Sequence, residues 1–379
     1  MPTAIEALRL QRRQFLASLV ALGALPAHAG AAPRTRLFAA WQQAEAQQIG
    51  VFGANDTGWS ILRSLAVPTR AHGLWVEPSG HLLAVARRPG DWLLRWHPTS
   101  GATQWHWMEG DRRFNGHVIS SAAGEVLWTT ETDLETAQGR VGVREARSLE
   151  KTAEWATHGA DPHQLLTLPH AVGDLPAGCL LVANGGIPTL PETGRSKRAL
   201  DRMDASLVAL QPETGALLGQ WRLSDPFLSI RHLAWDPVSR TVGIALQAEH
   251  PDPAARRSAP VLAVWDGTGL SPAQAQPPLA GYGGDICALP GGGFAVSCPR
   301  ANRLALFNAG GVWESGITHT EACALSNPGG LGPWWLASNQ GPAGLMHSGA
   351  RGSGTVISQA EPATVTHLQI DNHWIALPG

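Results

Sequence analysis

The chain holds 379 residues, of which 44% are hydrophobic and 15% charged, with a formal net charge of −2. That balance excludes a disordered chain, which is poor in apolar residues and rich in one sign of charge, and it offers no basic footprint for nucleic acid. No apolar run reaches the roughly 18–20 residues that span a bilayer as a helix, and 43 Gly with 28 Pro, lacking a Gly-X-Y period, exclude collagen and imply many tight turns.

Taken in chain order, residues 1–29 read as an export leader. Arg12-Arg13-Gln14-Phe15-Leu16 is a twin-arginine signature, Phe15–Leu25 is a mildly apolar segment, and Ala27-His28-Ala29 offers small residues for cleavage before Gly30. The alternative is an ordinary secretion signal with a chance Arg pair. A twin-arginine leader implies a protein exported folded, through the twin-arginine pathway, into the bacterial periplasm. Residues 30–379 are then expected to form a single domain.

Beyond the leader, one pattern recurs about every 50 residues: a polar residue, an apolar strand, a Gly-containing turn, a second strand, a polar loop and a third strand. The copies begin at His72, His117, His163, His232, Asp285, Glu321 and His367, and the last is cut short by the chain end. Their third strands fall at Trp92–Trp96, Val141–Arg144, Ser206–Leu210, Val261–Trp265, Arg303–Phe307 and Gly344–His347. Small sheets at this period predict an all-β fold, a seven-bladed β-propeller. Strand-like segments at Ile49–Phe52 and Trp59–Leu65 precede the first copy, so the last blade is expected to be closed by N- and C-terminal strands. Helical periodicity is confined to Arg36–Gln48. The Asn184–Met203 insertion is read as a loop over the channel mouth, and 251–259 as a mobile connector. Most of the 16 Trp are expected to pack between blades.

In a propeller, the start of each first strand and the end of each second strand lie on one face. That phase collects His72, His117, His163, His232 and His367 with Asp285 and Glu321, and opposite them Arg87, Glu131, Asn184, Gln247, Arg300 and Asn339. Imidazole suits Zn, Cu, Fe and Ni, and carboxylates complete such sites. The five His are therefore candidate metal ligands, for iron or copper before zinc. Arg231 beside His232, with Arg140 or Arg300, offers an anion cradle instead. A His ahead of a blade's first strand also serves as a purely structural bridge in propellers. His81, His97, His106, His250, His347 and His373 fall out of phase and read as surface or structural residues; His158 and His319 lie close enough in sequence to reach the channel mouth.

Four Cys are present, and Cys287 and Cys298 flank a hairpin, which makes them the candidate disulfide, with free buried thiols as the alternative. No G-x-S-x-G, P-loop, H-E-x-x-H or C-x-x-C-H motif occurs.

Several blocks carry a family resemblance: the leader, Phe114-Asn-Gly-His117, Trp128-Thr-Thr-Glu-Thr-Asp133, Gly139-Arg-Val-Gly-Val143, His158-Gly-Ala-Asp-Pro-His163, Ala183-Asn-Gly-Gly-Ile187 and Ser229-Ile-Arg-His-Leu-Ala234. Together, over about residues 35–379, they resemble domain of unknown function family 1513. The resemblance implies an exported propeller of bacterial iron-uptake gene clusters, beside imelysin-like and di-haem peroxidase-like proteins, and it supplies no catalytic residues. The expectation is a periplasmic metal-binding or metal-handling propeller of iron or copper acquisition. The alternatives are a non-catalytic docking platform for imelysin-like or di-haem peroxidase-like partners, and a lactonase- or quinoprotein-like enzyme using the same face.

Overall fold

The computed structural model describes residues 35–55, 58–188, 200–327, 334–338, 341–347, 354–357 and 368–377. The leader, the greater part of the Asn184–Met203 insertion, His367 and Asn339 lie outside them.

The chain folds as an all-β propeller. Its described residues form seven four-stranded antiparallel sheets. Each short run of Val, Leu, Ala and Trp is a strand buried on both faces, because sheets pack against it from either side. Thus Leu82–Ala86, Leu180–Asn184, Phe294–Cys298 and Ser206–Leu210 are buried at every residue. The fourth strands, such as Thr103–Trp107 and Trp313–Thr318, lie outermost and expose part of their surface.

Each sheet has one innermost strand. In chain order these are Ala71–Val76, Arg112–Ser120, Pro162–Thr167, Leu228–Asp236, Asp285–Ala288, Leu325–Ser326 and Gln369–Ala376. Each packs against the next, and the last returns to the first, so they enclose one central channel. The C-terminal strand Gln369–Ala376 joins the sheet of Thr35–Gln43, Ala46–Asn55 and Gly58–Val67, tying the two ends of the described chain together. This pairing leaves no open ring edge.

Apolar clusters fill the spaces between sheets. Trp41, Trp59, Trp92 and Trp265 are among the largest fully buried side chains, wedged where two twisted sheets diverge. Among described residues, no helix is long and apolar enough to cross a membrane.

Three expectations change. Arg36–Gln48, the one segment with helical periodicity, lies in strands Thr35–Gln43 and Ala46–Asn55, because a sheet buried on both faces needs no alternation. The 251–259 segment contains a helical turn, Pro253–Ser258, capped by the Asp252 carboxylate, which accepts from the Ala254 and Ala255 N–H groups. Cys287 and Cys298 form no disulfide, and all four Cys are free and buried. The hairpin register sets Cys287 opposite Ala295 and Asp285 opposite Ser297. Cys287 and Cys298 therefore enter different apolar clusters on opposite faces of their sheet.

Candidate metal centre

Five innermost strands carry a His, and in each of them the pairing register breaks at or beside it. The breaks fall between Ala71 and Leu74, Phe114 and Val118, Pro162 and Leu165, and Ile230 and His232, and opposite Ala39–Trp41 between Ile370 and Trp374. The two innermost strands without a His, Asp285–Ala288 and Leu325–Ser326, pair without interruption. A bulge adds residues to one strand, bends it and re-aims a side chain out of the alternation. Here it brings His72, His117, His163, His232 and His373 together.

The five imidazoles are buried, none more than 8% exposed. Their ring centroids stand 4.9 Å apart for His72 and His117, 4.8 Å for His117 and His163, 4.5 Å for His163 and His232, 4.4 Å for His232 and His373, and 4.7 Å for His373 and His72. The circuit closes on itself. Nε2 of His163 lies 3.3 Å from Nε2 of His232. Two nitrogens on one metal at about 2.1 Å each would stand about 3.0–3.4 Å apart. His72, His117 and His163 each offer a nitrogen within 4.8 Å of the others, as do His72, His232 and His373.

Small residues permit this closeness. A Cβ on Gly73 would strike the Gly116 carbonyl oxygen, and one on Gly116, whose φ is +107°, would strike the His72 ring.

Carboxylates stand behind the ring. Oδ1 of Asp285 lies 3.1 Å from Nδ1 of His373, and Oδ1 of Asp371 lies 3.7 Å from Nδ1 of His72. Asp371 also pairs with Arg70. Nε2 of His117, Nε2 of His373 and Nδ1 of His72, His163 and His232 have no hydrogen-bond partner among the described residues. A buried polar atom left bare costs about 1–3 kcal/mol, and each of the five rings carries one such nitrogen.

Burial pushes the imidazoles of His72, His117, His163 and His232 well below their usual range, and neighbouring imidazoles lower them further. Arg231 adds to this at His163, His117 and His232. Neutral imidazole is the form that donates a lone pair to a metal.

One side of the ring opens into a cavity of about 280 Å³. His72, His163 and His232 line its floor, and Arg87, Arg88, Arg231 and Arg300 line its walls. An adjoining cavity of about 400 Å³ shares Arg300 and Asn372 with it and reaches Glu321.

The remaining sequence candidates divide. Arg87, Arg231, Gln247 and Arg300 reach the cavity over the ring. Asp285 lies against His373 and also accepts from the Leu325 N–H. Glu131 is turned away: its buried carboxylate receives Arg144 at 2.7 Å, Lys151 at 3.1 Å and the Thr129 hydroxyl at 2.8 Å within its own sheet. Asn184 spends its amide on the Thr157 carbonyl and the Ser206 hydroxyl. Glu321 is exposed at positive φ, with its N–H on Asn302. Arg140 pairs with Asp133 and Glu154. His158 is exposed and His319 half-buried, and neither joins the ring.

His373 is the residue that phase reasoning missed. The signal was local: His373 follows Asp371 by two positions, as His163 follows Asp161, and each enters an apolar run.

Fold and centre define the class: a β-propeller whose channel is lined by buried His. The chain belongs to the family described as Protein of unknown function (DUF1513), whose model matches residues 65–377. No curated protein matches it. Among solved structures it is similar to Kuenenia stuttgartiensis hydrazine synthase, at 11% identity and TM-score 0.59, covering 86% of this chain and 99% of that one. A streptogramin B lyase is similar at 10% identity and TM-score 0.55, covering 88% and 91%. The virginiamycin B lyase of Staphylococcus aureus is similar at 10% identity and TM-score 0.54, covering 83% and 88%. At such identities these likenesses establish the propeller fold alone.

Proposed function

We propose that this protein binds one transition-metal ion, iron or copper, among His72, His117, His163, His232 and His373. The observation that carries the reading is convergence. Five strands distant in sequence each break register at a His, and the five buried rings meet, each with one nitrogen that has no hydrogen-bond partner among the described residues. An all-nitrogen set with no thiolate suits copper, iron, nickel and zinc. The carboxylate–His pairing of Asp285 with His373 resembles the outer shell of metal centres, where a carboxylate fixes the tautomer of a ligating ring.

Counting each four-stranded sheet as one blade, we read the ring as seven blades around the site. The leader-like segment and the family resemblance support a periplasmic location for this reading. There it would handle metal for uptake, with imelysin-like or di-haem peroxidase-like partners. The assignment is of binding and handling, not of a reaction.

The test is metal analysis of protein exported through its own leader, followed by titration of the stripped protein with Fe(II), Cu(II) and Zn(II). About one equivalent of iron or copper, lost in His163→Ala and His232→Ala, is expected. Stripped protein that takes up none of the three removes the proposal.

A further inference from the structure

Above the His ring stands a second chemical feature that metal binding does not require. Arg87, Arg88, Arg231 and Arg300 converge on one cavity, and among the described residues no carboxylate lines it. Two of the four share a single acid behind the wall: Asp161, itself at positive φ, receives Arg88 on one oxygen and Arg231 at 2.7 Å on the other. Arg300 is exposed and lies with its guanidinium 4.2 Å from the centre of the Tyr282 ring, a stacking that leaves the N–H edge free to turn inward. Several guanidinium groups around one cavity make it attractive to an anion.

We infer that this vestibule binds a small oxyanion, held by the forked N–H groups of Arg87 and Arg300 and placed over the open side of the His ring. Guanidinium forks match carboxylate and phosphate oxygens two at a time. The cavity of about 280 Å³ admits a small anion and no macromolecule. Placement over the proposed metal rests on the metal reading: the anion there would be a co-ligand or the counter-ion that travels with the cargo. Binding of the anion itself rests on the arginines alone.

The experiment is calorimetric titration of metal-free protein, in low-chloride buffer, with inorganic phosphate and separately with succinate. It is repeated on Arg87→Gln and Arg300→Gln, with Arg300→Lys as a variant that keeps charge and loses the fork. Cu(II) affinity is measured on the same proteins, and the visible Cu(II) spectrum of the loaded wild type is recorded with and without each anion. We expect saturable binding of one anion, weakened at least tenfold in both Gln variants and partly restored in the Lys variant, with Cu(II) affinity unchanged. Binding of phosphate alone identifies a phosphate-type ligand; binding of succinate alone identifies a carboxylate. A shift of the Cu(II) spectrum by that anion supports its placement over the metal, and an unmoved spectrum removes the placement. If neither anion binds, or the Gln variants bind as the wild type does, the inference is overturned. Failure of Cu(II) to bind, with anion binding still dependent on Arg87 and Arg300, would remove the metal assignment and leave the vestibule standing.

Discussion

Nδ1 of His373, on the C-terminal strand, lies 3.1 Å from the carboxylate of Asp285, on the innermost strand of another sheet. With Nδ1–H donated to Asp285, the lone pair of Nε2 is presented to the ring. Asp285→Asn should therefore lower metal affinity about 10–100-fold while leaving the fold intact, because the amide oxygen can still accept from the Leu325 N–H. Competition titration against a chromophoric chelator measures this. Unchanged affinity would mean that His373 does not ligate.

Within the ring, His163 and His232 make its one nitrogen–nitrogen hydrogen-bond contact, at 3.3 Å. Replacing either with Ala is expected to change the melting temperature of metal-free protein by only a few degrees, because the lost packing is offset by removal of an unpaired buried nitrogen. The effect should appear when metal is added. A ligand at about 100 times its Kd stabilises the wild type by about 2.7 kcal/mol, and that increment should vanish in the variants. Thermal scans with and without metal decide; large destabilisation with the increment retained would make the pair structural.

The buried rings also set a pH dependence. Burial lowers the folded-state values of His72, His117, His163 and His232, while the unfolded chain titrates near about 6.5. Below that pH the unfolded state binds more protons than the folded state, so stability falls as pH falls. Metal-free protein should keep a level melting temperature above about pH 7.5 and lose stability steadily from about pH 6.5 to 5. A melting temperature that is level or rising through that interval would contradict the neutral ring.

Glu131 separates stability from function. It and Arg144 are fully buried and joined at 2.7 Å. Glu131→Ala leaves the guanidinium without its main partner and should cost about 3–5 kcal/mol, read by denaturant unfolding, with metal affinity unchanged. A variant that folds normally but loses metal would return Glu131 to the site.

The four Cys are free and buried, and burial raises their thiols, Cys179 to about 11 and Cys298 and Cys323 to about 12. Thiolate is the reactive form. Iodoacetamide should leave the native protein unmodified and label all four thiols after unfolding, as counted by mass spectrometry. Two labels instead of four would restore a disulfide.

The fold and four of the five ring residues were legible because both depend on a local repeat. His72, His117, His163 and His232 stand at the same point of a strand–turn–strand unit, and equivalent points in a ring of such units must face one axis. His373 was obscured by closure: the last sheet takes its innermost strand from the C-terminus and its other three from the N-terminus, so counting from the preceding copies landed on His367. Glu131 misled for a related reason. Its position in the repeat is right, but the side chain turns toward Arg144 on the neighbouring strand of its own sheet.

The order of residues alone determined the strands, their turns and the recurrence that makes a ring, since each follows from contacts within about fifty positions. Only the tertiary structure decided which side chains reach the centre. That depends on five register breaks, on the absence of Cβ atoms at Gly73 and Gly116, and on acids such as Asp285 and Asp371 approaching from other sheets. Such arrangements join residues far apart along the chain, and no local pattern specifies them.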